Sequence, residues 1–111
     1  MAKAEYNQII KENLDSFLLE FTGVAAGNMF GYPAYYVGKK LFACVYKDGV
    51  GIKVPEDLAK KLINKEGITY FQPLGRPRMK QWIQINRGEP EDYYKDIEIF
   101  KTSIEFVSKS K

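Results

Sequence analysis

The sequence predicts an α+β domain: a two-layer α/β sandwich whose five-stranded, largely antiparallel sheet carries its helices on one face. Three observations carry that expectation. Apolar residues recur at helical period near both ends of the chain, aromatic and β-branched runs fill its middle, and two-residue turn signals separate those runs. The element order that follows is α-β-β-β-α-β-β-α.

The first helix is expected over residues 4 to 21. Tyr6, Ile9, Ile10, Leu14, Phe17, Leu18 and Phe21 form one apolar stripe, with Lys11, Glu12, Asp15 and Glu20 off it. Gly23 and Gly27 then supply a glycine stop. Three strands follow at Ala34 to Val37, Leu41 to Tyr46 and Val50 to Val54. Gly38-Lys39 and Asp48-Gly49 fall between them as hairpin turns, the second calling for positive φ at both residues. The middle strand is apolar on both faces and belongs inside the sheet. In the third, Val50, Ile52 and Val54 define a buried face and Gly51 and Lys53 a solvent face.

Pro55-Glu56-Asp57 opens a second helix, with proline in the first turn and acids at the positive end of the dipole. Leu58, Leu62 and Ile63 form its apolar side, and Gly67 ends it. Two more strands are expected at about 68 to 73 and 79 to 86, joined by the loop Pro73-Leu74-Gly75-Arg76-Pro77. The last helix starts near Pro90, and Tyr93, Ile97, Phe100, Ile104 and Val107 step along it by 4, 3, 4 and 3. All of 1–111 reads as a single domain with a core from about 4 to 108 and a short frayed Ser/Lys tail.

Composition narrows the function classes. Hydrophobic residues at 45% and charged residues at 28% exclude a disordered chain. The amphipathic, charged start lacks the apolar core of a secretory signal, and no window has the roughly 18 apolar residues of a membrane span. Cys44 is the one cysteine, so no internal disulfide forms and a cytoplasmic setting is expected.

Several local sequences add a resemblance. Met29-Phe30-Gly31, Tyr36-Val37-Gly38-Lys39 leading into Leu41-Phe42-Ala43, Lys53-Val54, and Gly75-Arg76-Pro77 with Met79-Lys80 are the residues concerned. Through them the stretch from about Asn28 to Val107 resembles the N-terminal domain of the TfoX competence regulators. Arg78 departs from that pattern, standing where the family often has methionine after Gly-Arg-Pro. The resemblance implies a fold similar to type III secretion chaperones and YjbR-like proteins, and a setting in gene regulation.

Enzyme chemistry is disfavoured by inventory. The chain has no histidine, the commonest general base and metal ligand. Cys44 sits mid-strand between Ala43 and Val45 with no cation placed to activate it, so a buried structural thiol is expected. Glu89, Glu91 and Asp92 cluster where a helix dipole accounts for them. No catalytic residue, cofactor or metal site is therefore expected.

Charge distribution is more informative. Residues 39 to 87 hold eleven Lys/Arg against four acids, a surplus of seven, whereas both flanking segments carry a surplus of two acids. Such a region fits an acidic protein surface or nucleic acid. The candidate anion-binding residues are Arg76, Arg78, Lys80 and Trp82, with Lys53, Lys39 and Lys40; routine solvated lysines are the bland alternative. Alternation places Trp82 on the Lys80/Gln84 face, opposite Ile83 and Ile85. Tyr32, Tyr35 and Tyr36 either pack against the first or last helix or line a pocket for a small anionic ligand. Leu19, Ile99 and Phe106 lie off the helical seams and mark a possible homodimer contact. The leading expectation is thus a non-enzymatic, regulatory interaction module; the alternative is a small-ligand binding protein.

Overall fold

The computed structural model describes residues 5–73, 77 and 79–109. Among these residues the architecture is α+β, with three α-helices on one face of an antiparallel sheet. Helix α1 runs Gln8–Leu18, shorter than expected at both ends. Asn7 sets its start, because its side chain accepts from the N–H groups of Ile9 and Ile10 at 2.9 and 3.2 Å. Upstream, Lys47 N–H donates to the Glu5 carbonyl and Asn7 N–H to the Lys47 carbonyl, so Tyr6 lies in a short parallel bridge instead of in the helix. Ile10, Leu14, Phe17 and Leu18 carry the buried stripe, while Tyr6 and Ile9 are exposed.

Among the described residues the sheet has six strands, not five: β1 (Val24–Met29), β2 (Tyr32–Val37), β3 (Lys40–Tyr46), β4 (Gly49–Lys53), β5 (Ile68–Tyr70) and β6 (Trp82–Ile85). Their order is β1-β2-β3-β4-β6-β5, with every neighbouring pair antiparallel. The additional strand is β1, whose sequence Val-Ala-Ala-Gly-Asn-Met has little strand propensity of its own. It is held by an unbroken six-pair register with β2, closed by the turn Phe30-Gly31, both at positive φ. Strand β3 lies inside the sheet as expected. A bulge beside Tyr35/Tyr36 adds Phe42 to it, so that Phe42 and Ala43 both belong to the helix-side core.

Gly38 and Lys39 take positive φ, as their hairpin requires. The next turn is shifted by one residue from the expected Asp48-Gly49. Tyr46 pairs with Gly49, leaving Lys47-Asp48 as the tip, with positive φ at Lys47 alone. Gly49 is a strand residue whose lack of a side chain leaves room for Gln84 and Asn86.

Helix α2 spans Glu56–Leu62 and buries Ala59 and Leu62. Pro90 opens a 3₁₀ helix, Pro90–Asp96, which leads into α3 (Ile97–Lys109). The 3₁₀ helix is tied to the end of β6. Buried Tyr93 donates to the Ile85 carbonyl at 3.1 Å and accepts from the Arg87 N–H, while Arg87 grips the Asp96 carboxylate with Nε and Nη2 at 2.9 and 2.6 Å. The helices cover Tyr35, Val37, Phe42, Val45, Val50, Ile52, Ile83 and Ile85 with Leu14, Leu18, Phe100 and Val107. Among the described residues no helix is long and apolar enough to cross a membrane.

Candidate functional site

Strand alternation hands the remaining residues to the opposite, helix-free face. There the register aligns Gly27, Ala34, Cys44 and Gly51 in one row across four strands, a trough of small residues. Bulky rows flank it: Met29, Tyr32 and Tyr46 on one side, Tyr36, Leu41, Lys53 and Trp82 on the other. Two rings lie in the trough. Tyr36 crosses Gly27, where a Cβ would stand 3.0 Å from its ring, and its hydroxyl donates to the Asn28 carbonyl. Phe71 crosses Gly51, where a Cβ would stand 2.8 Å away. Strand β4, the third strand expected from sequence, therefore has no solvent face at Gly51; a phenyl ring covers it.

Phe71 reaches this position because its N–H continues the β5–β6 ladder, donating to the Trp82 carbonyl at 3.1 Å. Rings then contact one another across the face. Tyr32 meets Tyr46 at 4.8 Å between centroids, Tyr46 meets Phe71 at 5.5 Å edge-on, and Phe71 meets Trp82 at 5.8 Å. Between them opens a pocket of about 190 Å³, walled by Met29, Phe30, Tyr32, Leu41, Tyr46 and Trp82 together with Phe71, Pro73 and Met79. Phe30 is 73% exposed at its mouth.

Cations neighbour residues that wall this pocket. Lys47 Nζ lies 5.3 Å from the Tyr46 ring centroid, Lys53 is the cross-strand neighbour of Trp82, and exposed Lys80 precedes β6. Among the described residues none of the three takes part in the six ion pairs found elsewhere, and no Asp or Glu lines the pocket. Beneath the rings Cys44 is fully buried, and burial pushes its thiol up to about 12 while a hydrogen bond from the Gly51 backbone works the other way. The burial is as the sequence suggested.

The expected tyrosine patch divides. Tyr32 and Tyr36 face the trough, but Tyr35 points to α1, where its hydroxyl donates to the Asp15 carboxylate and burial raises its pKa. Packing on a helix thus holds for Tyr35 alone. Trp82 is half-buried on the side alternation gave it, covered by Phe71 rather than by a helix. Lys39, Lys40, Lys53 and Lys80 gather at one end of the sheet without sharing one face, since Lys40 pairs with Val37 in the helix-side row. Arg76 and Arg78 lie outside the described residues. Of the three off-seam residues, Ile99 and Phe106 pack partly buried against the helix-side core, and Leu19 is exposed.

Met29, Phe30, Leu41, Tyr46, Phe71, Pro73 and Met79 were not singled out from sequence as site residues. One signal for Phe71 was available: a glycine inside a strand, Gly51, marks a place where something approaches the backbone closely. No protein-family model, curated protein or solved structure matches the chain.

Proposed function

We propose that this protein is a non-enzymatic interaction module that takes one apolar side chain of an acidic partner segment into the pocket on its helix-free face. Pocket size carries the proposal. At about 190 Å³ it is smaller than the roughly 300 Å³ at which small-molecule sites begin, and it suits a single buried side chain. An anchor of that kind, surrounded by aromatic rings, is the usual centre of a protein interface. The surrounding Lys47, Lys53 and Lys80 favour acidic residues next to the anchor and disfavour basic ones. The likeness to the TfoX N-terminal domain supports a regulatory partner. The lone buried thiol supports a reducing compartment such as the cytoplasm.

Trp82 is the only tryptophan and lines the pocket, so its fluorescence reports occupancy directly. The test titrates the protein with an acidic peptide carrying one phenylalanine, the same peptide with alanine instead, phenylpropionate, and duplex DNA. The expected result is saturable binding of the phenylalanine peptide, at least about tenfold weaker binding of the alanine peptide, and weaker binding by Lys53→Glu. Equal affinity for the two peptides overturns the proposal. So does phenylpropionate binding as tightly as the peptide, which would favour the small-anion alternative, or a response to DNA alone.

A further inference from the structure

Strand β1 ends the sheet on one side and the three-residue β5 on the other. Shortness protects β5, but among the described residues β1 has none of the usual protections. It is six residues long, in unbroken register with β2, and contains no charged residue, proline or bulge. Its hydrogen-bonding groups show what it can accept. The two-residue turn Phe30-Gly31 closes on Met29 and Tyr32 as a bonded pair, so Gly27 and Ala25 bond inward to β2, and Val24, Ala26 and Asn28 direct their backbone groups outward. Two details agree with this assignment. Asn28 faces Pro33, which has no N–H to give, and the Val24 N–H bonds to the Phe21 carbonyl outside the ladder.

Two of the six outward groups are already occupied. The Val24 N–H is held by Phe21 at 3.2 Å, and the Asn28 carbonyl accepts from the Tyr36 hydroxyl at 2.9 Å. What is left is the N–H and C=O of Ala26, the N–H of Asn28 and the C=O of Val24. We infer that this edge pairs with the same edge of a second copy, antiparallel, with Ala26 opposite Ala26. In that register the two alanines exchange both of their bonds, and the Asn28 N–H of each copy meets the Val24 carbonyl of the other. Every unoccupied group is used, and neither occupied group is needed. A foreign strand carries all its donors and acceptors and would leave its own groups facing the two occupied positions unmet; a second copy carries the same two omissions at the matching places.

Sterics and charge agree. Ala25, Ala26 and Gly27 allow close approach at the two-fold axis, and an uncharged strand brings no like charges into opposition. Because the register pairs residues on the same side of the sheet, the two six-stranded sheets become one continuous sheet. All helices then lie on one side and both aromatic pockets on the other.

Sedimentation velocity on the whole chain tests this. At about 100 μM the expected mass is twice the 12.8 kDa of one chain. Ala26→Lys sets two ammonium groups against each other on the axis, and Ala26→Pro deletes the central donor while leaving the β1–β2 ladder intact; both are expected to sediment at 12.8 kDa. A wild-type chain that stays at the monomer mass, or variants that dimerise as wild type does, overturns the inference. Hydrogen exchange on the wild-type chain decides the matter even where a variant fails to fold. Protection at the Ala26 and Asn28 amides is expected to rise with concentration while that at β5 does not; protection independent of concentration overturns it.

Discussion

Gly49 and Gly51 stand two residues apart on β4 and leave space on the same face for different neighbours. A Cβ at Gly51 would meet three ring carbons of Phe71 at 2.8 to 3.0 Å, and that ring is wedged between Tyr46 and Trp82. At Gly49 it would meet the far ends of Gln84 and Asn86, which swing aside. Gly51→Ala is therefore expected to cost about 1–3 kcal/mol through overpacking. Gly49→Ala is expected to be near neutral, within about 0.5 kcal/mol, because the strain is offset by reduced freedom of the unfolded chain. Urea unfolding of both variants checks the contrast, and equal losses would mean that Phe71 does not clamp the trough. Cys44 beneath the same rings gives a pH signature. Its pKa is raised from 9.0 to about 12 by burial, so the unfolded chain releases this proton first. The native state's advantage is whole below about pH 9 and falls as pH rises towards 12, by at most about 1.4 kcal/mol per pH unit. Cys44→Ala removes this contribution, whereas the alkaline loss from buried Tyr35 is common to both proteins. The stability gap between wild type and Cys44→Ala is expected to shrink above pH 9; a constant gap would show that the thiol ionises alike in both states.

At the scale of elements, the start of α1 depends on a single side chain. Asn7 supplies the acceptor for two otherwise unpaired N–H groups, so Asn7→Ala is expected to lose about 1 kcal/mol and Asn7→Asp to lose little. Thermal unfolding of the two variants reads the difference, and equal losses would show that the backbone bond to Lys47 sets the helix start instead. The body of this helix was legible from sequence because Ile10, Leu14, Phe17 and Leu18 repeat at helical spacing. Its ends were not, because a cap competes locally with one more turn, and the bridge to Lys47 won. Strand β1 was illegible for a related reason. Apart from Val24 little in Val24–Met29 favours extension by itself, and it is the pairing with β2 that makes it a strand. The glycine after Asp48 looked like a turn residue, but the turn closes one residue earlier at Lys47-Asp48, so Gly49 is a strand residue without positive φ.

Considered whole, the molecule has two cores divided by its sheet. Helices close one side, and the other is closed by rings from the strands and from the segment just after β5. That division explains why the site was only partly legible. Trp82, Tyr32 and Lys53 were visible by residue type and alternation, but their grouping depends on which strands are neighbours and on where Phe71 folds. The bulge opposite Tyr35 and Tyr36 further obscured that Phe42 and Ala43, adjacent in sequence, serve the same core. The two cores should respond independently to perturbation, because groups on opposite faces are separated by the backbone layer and share no partner. Phe71→Leu and Phe100→Leu, one in each core, are each expected to cost about 1–2 kcal/mol. The double variant should cost their sum to within about 0.5 kcal/mol. Denaturant unfolding of the four proteins closes this cycle, with Trp82 fluorescence reporting the pocket side and far-ultraviolet dichroism the helices. Coupling above about 1 kcal/mol would mean that the sheet itself transmits repacking, so that occupying the pocket would alter the helical layer as well.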